Sequence, residues 1–200
     1  VCHNVAKLEE HVVDGRRHAD DTAGLIGCGG RGCGAAANFL DAGPNLRIVA
    51  LADVFEDRVT EARRLMKERG QDIPDSRCYT GFDAFQKLIA SDVDVVLHAT
   101  PPHFRPMHMA AAVDARKHIF LEKPVAVDVP GVLAVMQTAE RATSQGLSIM
   151  TGTQLRRELP RMEVQKRIRD GAIGDIRAVR ALRNQGALWY RVPQPGWSDM

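Results

Sequence analysis

Apolar residues occur along this chain in two alternating patterns. Short continuous runs, rich in β-branched side chains, predict strands that are buried on both faces. Between these runs, apolar residues recur every three or four positions, which predicts amphipathic helices. The predicted strands lie at 23–26, 46–52, 77–80, 93–99, 118–121 and 147–150, and the predicted helices at 35–42, 55–66, 82–89, 103–115 and 129–143. Strands that alternate with helices are joined by right-handed crossovers, so the predicted fold class is α/β with a parallel sheet.

The pattern changes after residue 152. A helix is predicted at 161–170, and residues 176–183 alternate between apolar and polar side chains, as in a strand with one solvated face. We therefore predict one domain over residues 23–152 and the beginning of a second, incomplete domain over residues 153–200. The first segment, residues 1–22, is polar and has no apolar stretch of the kind found in signal peptides, so it is predicted to be a loose leader.

Composition narrows the classes of function. The 200 residues are 44% hydrophobic and 26% charged, and the formal net charge of +2 is too small to indicate binding to nucleic acid or to a membrane surface. No apolar run approaches membrane-spanning length. The four cysteines form neither a C-x-x-C pair nor a metal-ligand spacing with histidine, so no metal site is predicted. Free thiols suit a reducing compartment, and we expect the cytoplasm unless an upstream export sequence has been lost or altered.

The most informative motif is Gly27-Cys28-Gly29-Gly30-Arg31-Gly32, which follows the first predicted strand and precedes the first predicted helix. Asp53 ends the next apolar run, 21 positions after Gly32. This order of strand, glycine loop, helix, strand and acid is typical of a dinucleotide site. In such a site Gly27 allows the tight turn, Gly29 lets the backbone approach a pyrophosphate, and Gly32 lets the helix pack closely on the strand.

Asp53 and Arg31 each have two interpretations. The Asp53 carboxylate can accept hydrogen bonds from a ribose diol and repel a 2′-phosphate, which favours NAD over NADP. It can instead cap the helix that follows. Arg31 and the neighbouring Gly30 lie in the loop that would face the phosphates, where Arg31 either pairs with a phosphate or remains solvated.

A second group of residues follows two later strands. Thr100-Pro101-Pro102-His103 comes after the strand at 93–99, and Glu122-Lys123-Pro124 comes after the strand at 118–121. In open parallel sheets, ligands bind outside the carboxyl ends of the strands. Pro124 disfavours a helical conformation for Lys123 and keeps it extended at the strand end, where an amine can orient an oxygen atom and move a proton. The alternative is a surface lysine paired with Glu122.

Three stretches of the sequence resemble the Gfo/Idh/MocA oxidoreductase family, named for glucose-fructose oxidoreductase and inositol dehydrogenase. They are residues 24–32, 99–102 and 117–124, which occur in that order and with the family's spacing. The resemblance implies an N-terminal Rossmann domain with a doubly wound parallel sheet, followed by an α+β substrate domain with an open, mostly antiparallel sheet. It also implies hydride transfer between a nicotinamide cofactor and a hydroxyl-bearing carbon of a sugar or cyclitol. From the same resemblance we expect the protein to form a homo-oligomer.

The same resemblance assigns roles to individual residues. Lys123 matches the family lysine that contacts the nicotinamide ribose and the substrate, so it is the predicted catalytic residue. Pro124 matches the proline that shapes this turn, and Arg156 is expected to touch the substrate. The residues expected beside the cofactor at these later strands are Thr100, Pro101, His103, Glu122, Lys123 and Pro124.

The sequence also departs from the family. The family's catalytic acid–base pair, an Asp and a His four residues apart, falls beyond Met200, and Arg105 stands where the family frequently has histidine. Two other functions therefore remain open. Some relatives oxidise a sugar transiently, eliminate a glycosidic leaving group and reduce the sugar again. The other open function is binding of a nucleotide without catalysis of any reaction.

Overall fold

The computed structural model describes residues 21–182, 184 and 186, and a parallel sheet forms its centre. The strands are β1 (Asp21–Ile26), β2 (Leu46–Asp53), β3 (Cys78–Thr80), β4 (Val95–His98), β5 (His118–Leu121) and β6 (Ile149–Thr151). The helices are α1 (Gly30–Leu40), α2 (Glu56–Glu68), α3 (Ala84–Ile89), α4 (Arg105–Asp114), α5 (Val129–Ser144) and α6 (Leu159–Arg169). All six strands run parallel in the order β3-β2-β1-β4-β5-β6. This is a doubly wound Rossmann sheet, as predicted.

Two apolar layers bury the sheet. On one face, α1 and α2 contribute Phe39, Val59 and Met66 to a cluster with side chains of β1, β2 and β4. On the other face, a second cluster contains Leu88 of α3 and Met109 of α4. Because helices cover both faces, the central strands are mostly apolar, and this is why their sequences show continuous apolar runs instead of alternation.

Glycine is required where β1 turns into α1. Gly27 has a φ of +94°, and a β-carbon there would lie 2.7 Å from the backbone nitrogen of Thr100. A β-carbon on Gly32 would overlap the carbonyl oxygen of Gly27. The turn is held by the Gly27 amide, which donates to the Ala52 carbonyl at 2.8 Å. These contacts confirm that Gly27 and Gly32 allow a tight turn and close packing of the helix.

The structure differs from the sequence predictions at both ends of the sheet domain. Asp21 and Thr22, which were assigned to the leader, belong to β1. Thr22 is fixed because its amide and hydroxyl donate to the Asp94 carboxylate at 2.9 and 2.7 Å. The remainder of the predicted leader, residues 1–20, lies outside the described residues.

The strand predicted at 176–183 is not found. Residues 176–182 have no regular secondary structure, and Arg183 lies outside the described residues. An alternating pattern produces a strand only when a neighbouring strand accepts its backbone hydrogen bonds, and none lies beside this segment among the described residues. The chain divides into two compact units, one ending at Met162 and the other beginning at Glu163.

A helix that crosses a bilayer needs about 20 consecutive, mostly apolar residues. Among the described residues, no helix is both long and apolar enough to cross a membrane.

The two glycines at 32 and 34 provide a matched test of the close packing at α1. Gly32→Ala is expected to lower the free energy of unfolding by about 2–3 kcal/mol, because the new methyl group collides with the Gly27 carbonyl. Gly34→Ala is expected to raise it by about 0.5–1 kcal/mol, because the space beside Gly34 is open and alanine favours the helix. Urea unfolding of both variants measures the difference, and equal effects of the two substitutions would contradict this account.

Candidate functional site

The predicted site residues gather at one edge of the sheet. The order of the strands reverses between β1 and β4, and ligands of doubly wound folds bind at this reversal, outside the carboxyl ends of the strands. The segments that leave these carboxyl ends are the glycine loop after β1, Asp53 at the end of β2, residues 99–104 after β4 and residues 122–128 after β5. These segments therefore lie along one edge of the sheet.

The glycine loop presents free backbone groups. Gly29 is the N-cap of α1, and β-carbons placed on Gly29 or Gly30 would have nothing within 4 Å. The first hydrogen bond of the helix runs from the Cys33 amide to the Gly29 carbonyl at 2.9 Å, so the amides of Gly30 and Arg31 precede the helical bonding pattern. The first turn contains no acidic side chain that would offset the positive end of the helix dipole. An anion can therefore approach the loop closely and accept hydrogen bonds from it.

Asp53 joins the glycine loop to the end of β2. One carboxylate oxygen accepts a hydrogen bond from the Cys28 amide at 2.7 Å, and the other accepts one from the Phe55 amide at 3.0 Å. The N-cap of α2 is Phe55, so Asp53 is not the capping residue that one interpretation of the sequence predicted. Each carboxylate oxygen retains a further lone pair, and the residue is only partly buried. Asp53 can therefore hold the loop and still accept a hydrogen bond from a bound hydroxyl.

Arg31 and Glu122 form an ion pair across the site. The Nε atom and one terminal nitrogen of Arg31 lie 2.7 and 2.6 Å from the same Glu122 oxygen. The Glu122 side chain is 2% exposed, whereas the Arg31 side chain is 56% exposed. The other Glu122 oxygen accepts the Lys123 amide at 3.3 Å. A buried carboxylate needs such partners, so the ion pair ties the glycine loop to the segment that follows β5.

Lys123 and Pro124 lie on the exposed surface of this segment, joined by a cis peptide bond. Glu122 pairs with Arg31 and not with the Lys123 amine, so the predicted surface pair between Glu122 and Lys123 is not present. The Glu122 carboxylate packs against Gly152, where a β-carbon would lie 3.0 Å from three of its atoms. The lysine side chain is thereby left facing solvent at the carboxyl edge of the sheet.

Arg105 is a buried residue that the sequence predictions did not place in the site. It begins α4, is 5% exposed, and donates from Nε to the Thr100 carbonyl at 2.9 Å. One of its terminal nitrogens donates to the Glu122 carbonyl at 2.7 Å and also to the Pro124 carbonyl. Burial lowers the pKa of this guanidinium, and the nearby Glu122 opposes the shift. The only signal in the sequence was the arginine five positions after Thr100, where the family frequently has histidine.

Two histidines lie beneath the same edge. His98 ends β4 and is 1% exposed, and its Nε2 atom is hydrogen-bonded to Nδ1 of His108 at 2.9 Å. The His108 ring stacks on Phe85 with ring centroids 3.9 Å apart. Burial lowers the pKa of His108 to about 4. Burial, followed by the charges of His108 and Arg105, lowers the pKa of His98 well below its ordinary value. Both rings are therefore neutral at physiological pH.

The remaining predicted residues lie at the rim. Pro101 and His103 are exposed on the turn after β4, and Thr100 is half-buried, with its hydroxyl 3.5 Å from Nδ1 of His98. Arg156 is exposed on the short 3₁₀ turn after β6. Among residues 21–182, 184 and 186, no group of three His, Cys, Asp or Glu side chains is arranged to hold a metal ion.

These features define a Rossmann-fold protein with an open glycine loop at the start of α1. The family model of the Gfo/Idh/MocA oxidoreductases, described as an oxidoreductase family with an NAD-binding Rossmann fold, matches residues 22–150. The chain therefore belongs to this family, and its site is of the type that binds a nicotinamide dinucleotide.

Several curated proteins are similar in sequence. A glycosyl hydrolase family 109 protein of Bacteroides fragilis is 32% identical over 120 residues, which cover 59% of this chain and 25% of that protein. A protein of the same family from Saccharopolyspora erythraea is 28% identical over 160 residues, covering 80% of this chain and 34% of that protein. The chain thus spans about a quarter to a third of the length of these relatives.

Solved structures share the fold. A scyllo-inositol dehydrogenase from Lactobacillus casei, solved with NAD(H) and scyllo-inositol, has a TM-score of 0.64 at 23% identity over 78% of this chain and 43% of that chain. A 3-ketoreductase from Actinomadura kijaniata, solved with TDP-benzene and NADP, has a TM-score of 0.62 at 26% identity over 79% of this chain and 46% of that chain. At 23% identity, the similarity to the scyllo-inositol dehydrogenase shows only that the fold is shared.

Because the pKa of the buried His108 is lowered, we expect the protein to lose stability in mild acid. His108 has a pKa of about 4 in the folded chain and an ordinary value of 6.5, so between these values the unfolded chain binds more protons. Its contribution is fully present above pH 6.5 and is lost as the pH falls towards 4. From His108 alone, the free energy of unfolding is expected to fall by about 2 kcal/mol between pH 7 and pH 5.

Urea unfolding at several pH values measures this dependence. The control is His108→Gln, which keeps a hydrogen-bonding side chain beside His98 but does not titrate, and its stability is expected to depend less steeply on pH. An identical pH dependence in the two proteins would show that His108 does not titrate as described.

Proposed function

We propose that this chain is the cofactor-binding part of an NAD-dependent oxidoreductase that transfers a hydride between NAD and a hydroxyl-bearing carbon of a sugar or cyclitol. The observation that carries the proposal is the open glycine loop at the start of α1, with Asp53 on one side of it and Lys123 on the other. The family provides the reaction class, and the residues of the site support the particular cofactor.

The residues present fit a dinucleotide. The absence of side chains on Gly29 and Gly30 leaves room for a pyrophosphate, and the amides of Gly30 and Arg31 are donors for its oxygens. Asp53 would accept hydrogen bonds from the hydroxyls of the adenosine ribose, and its charge disfavours the 2′-phosphate of NADP. Thr100, Pro101 and His103 would flank the nicotinamide half at the ends of β4 and β5.

Lys123 would be the residue that transfers the proton of the substrate hydroxyl. Bound NAD supplies the hydride acceptor. The exposed Lys123 side chain would orient the substrate hydroxyl from its flexible stem, and as a neutral amine it would accept the hydroxyl proton when the hydride leaves the carbon. The exposed Arg156 guanidinium would contact hydroxyl groups of the substrate from the turn after β6.

A second function is supported by the sequence relatives. Both relatives described above are named as glycosyl hydrolases of family 109. If this protein resembles them, the sugar is oxidised, loses a glycosidic leaving group and is reduced again on the same cofactor. Release of NADH during turnover separates the functions: net NADH accumulation supports the dehydrogenase, sugar cleavage without it supports the glycosidase, and dinucleotide binding without either supports a binding module.

The role of Asp53 is tested by Asp53→Asn, which keeps an oxygen for the Cys28 amide but removes the charge. We expect NAD to bind about tenfold more weakly, and the preference for NAD over NADP to decrease, because the ribose loses a charged acceptor and a 2′-phosphate is no longer repelled. Isothermal titration calorimetry with both dinucleotides measures this. The control is Asp57→Asn, on the exposed surface of α2, and unchanged affinities in Asp53→Asn would refute the ribose assignment.

The role of Lys123 is tested by Lys123→Met in a chain that includes the remainder of the substrate domain. Turnover is expected to decrease by about a hundredfold or more, the usual scale for loss of an acid–base group, while NAD affinity is retained. Steady-state kinetics on a sugar that reduces NAD, together with NAD titration, measures both. Lys87→Met removes an exposed lysine of α3 and serves as the control; equal turnover in the two variants would assign Lys123 a structural role only.

A further inference from the structure

Arg105 lies where two loops of the site leave the sheet. The last backbone hydrogen bond along this pair of strands runs from the Glu122 amide, just after β5, to the carbonyl of His98, the last residue of β4, at 2.9 Å. Beyond this bond the two segments separate, one towards Thr100 and the other towards Lys123. The Arg105 guanidinium fills the space between them, because it donates to carbonyl groups of both segments.

Arg105 donates its hydrogen bonds to backbone carbonyls. Its three partners are the backbone carbonyls of Thr100, Glu122 and Pro124, which belong to two loops, and the side chain is 5% exposed. A planar guanidinium with five fixed N–H groups can hold several carbonyls at set separations, whereas a lysine amine holds them around a single point. A histidine ring has only two nitrogens, so it cannot reproduce the same set of contacts.

We propose that Arg105 is a positioning residue, which fixes the separation of the Thr100 and Lys123 loops and so shapes the pocket for the nicotinamide half of the dinucleotide. This inference rests on the proposed function, which places the nicotinamide between these loops. Arg105 acts through the two backbones, since its own guanidinium is buried beneath them. Among the described residues, Arg105 forms no hydrogen bond with Asp53 or with the glycine loop, so the adenosine half of the dinucleotide should depend on it much less than the nicotinamide half.

The test compares NAD with ADP-ribose, which has the same adenosine and pyrophosphate but lacks the nicotinamide. Dissociation constants for both are measured by calorimetry on the 200-residue chain, for the wild type, Arg105→Met, Arg105→Lys and Arg105→His. We expect Arg105→Met to weaken NAD about tenfold and ADP-ribose less than twofold. Arg105→Lys should give an intermediate ratio because one amine can recover part of the contacts. Arg141→Met, which removes an exposed arginine of α5, is the control.

The ratio of the two affinities separates positioning from general stability. If Arg105 only stabilises the fold, its variants will weaken both ligands equally or neither, and either result overturns the proposal. If Arg105→Met does not fold, the Lys and His variants decide by the same ratio. If the wild type binds NAD no more tightly than ADP-ribose, the positioning role is overturned while the glycine-loop assignment stands. If the wild type binds neither ligand, the proposed function itself fails.

Discussion

The whole site depends on the close approach of backbone to backbone at the start of α1. No side chain fits on Gly32, because its α-carbon packs against the Gly27 carbonyl, and none fits on Gly27, because it packs against Thr100. This contact places the first turn of α1 directly over the ends of β1 and β4. It also brings the Cys28 amide to Asp53 at the end of β2. A larger residue at either glycine would separate the helix from the strands and disperse these groups.

The strands and helices of the sheet domain could be predicted because burial determines which positions of the sequence are apolar. Strands covered on both faces are apolar at most positions, and the helices that cover them are apolar on one side, so the two patterns alternate along the chain. Residues 176–183 show where this reasoning stops. Their alternation specifies which face would be buried, but a strand also needs a hydrogen-bonding neighbour, and sequence periodicity contains no information about that neighbour.

The candidate site could be predicted as a location but not as a set of contacts. Rules for parallel sheets place Asp53, Thr100 and Lys123 at one edge, since each follows a strand. They do not show that Arg31 pairs with Glu122, 91 positions away, or that Arg105 is buried. Charged side chains are usually solvated, so a sequence gives no reason to bury one. The carbonyls that hold Arg105 exist in every sequence, and only the fold brings them together.

The Arg31–Glu122 pair also limits how a phosphate can be held. Glu122 is 2% exposed, so removing Arg31 would leave a buried carboxylate whose one remaining hydrogen-bond donor among the described residues is the Lys123 amide. That loss costs about 3–5 kcal/mol for a buried pair, whereas a solvent-exposed contact between an arginine and an anion returns about 1 kcal/mol or less. In the proposed complex, a contact with an anion would therefore not repay the loss of Glu122, and Arg31 would reach the anion only with the N–H groups that do not face Glu122. Under the proposed function, the pyrophosphate would then depend mainly on the amides of the glycine loop, and the open space beside Gly29 and Gly30 would let it reach them.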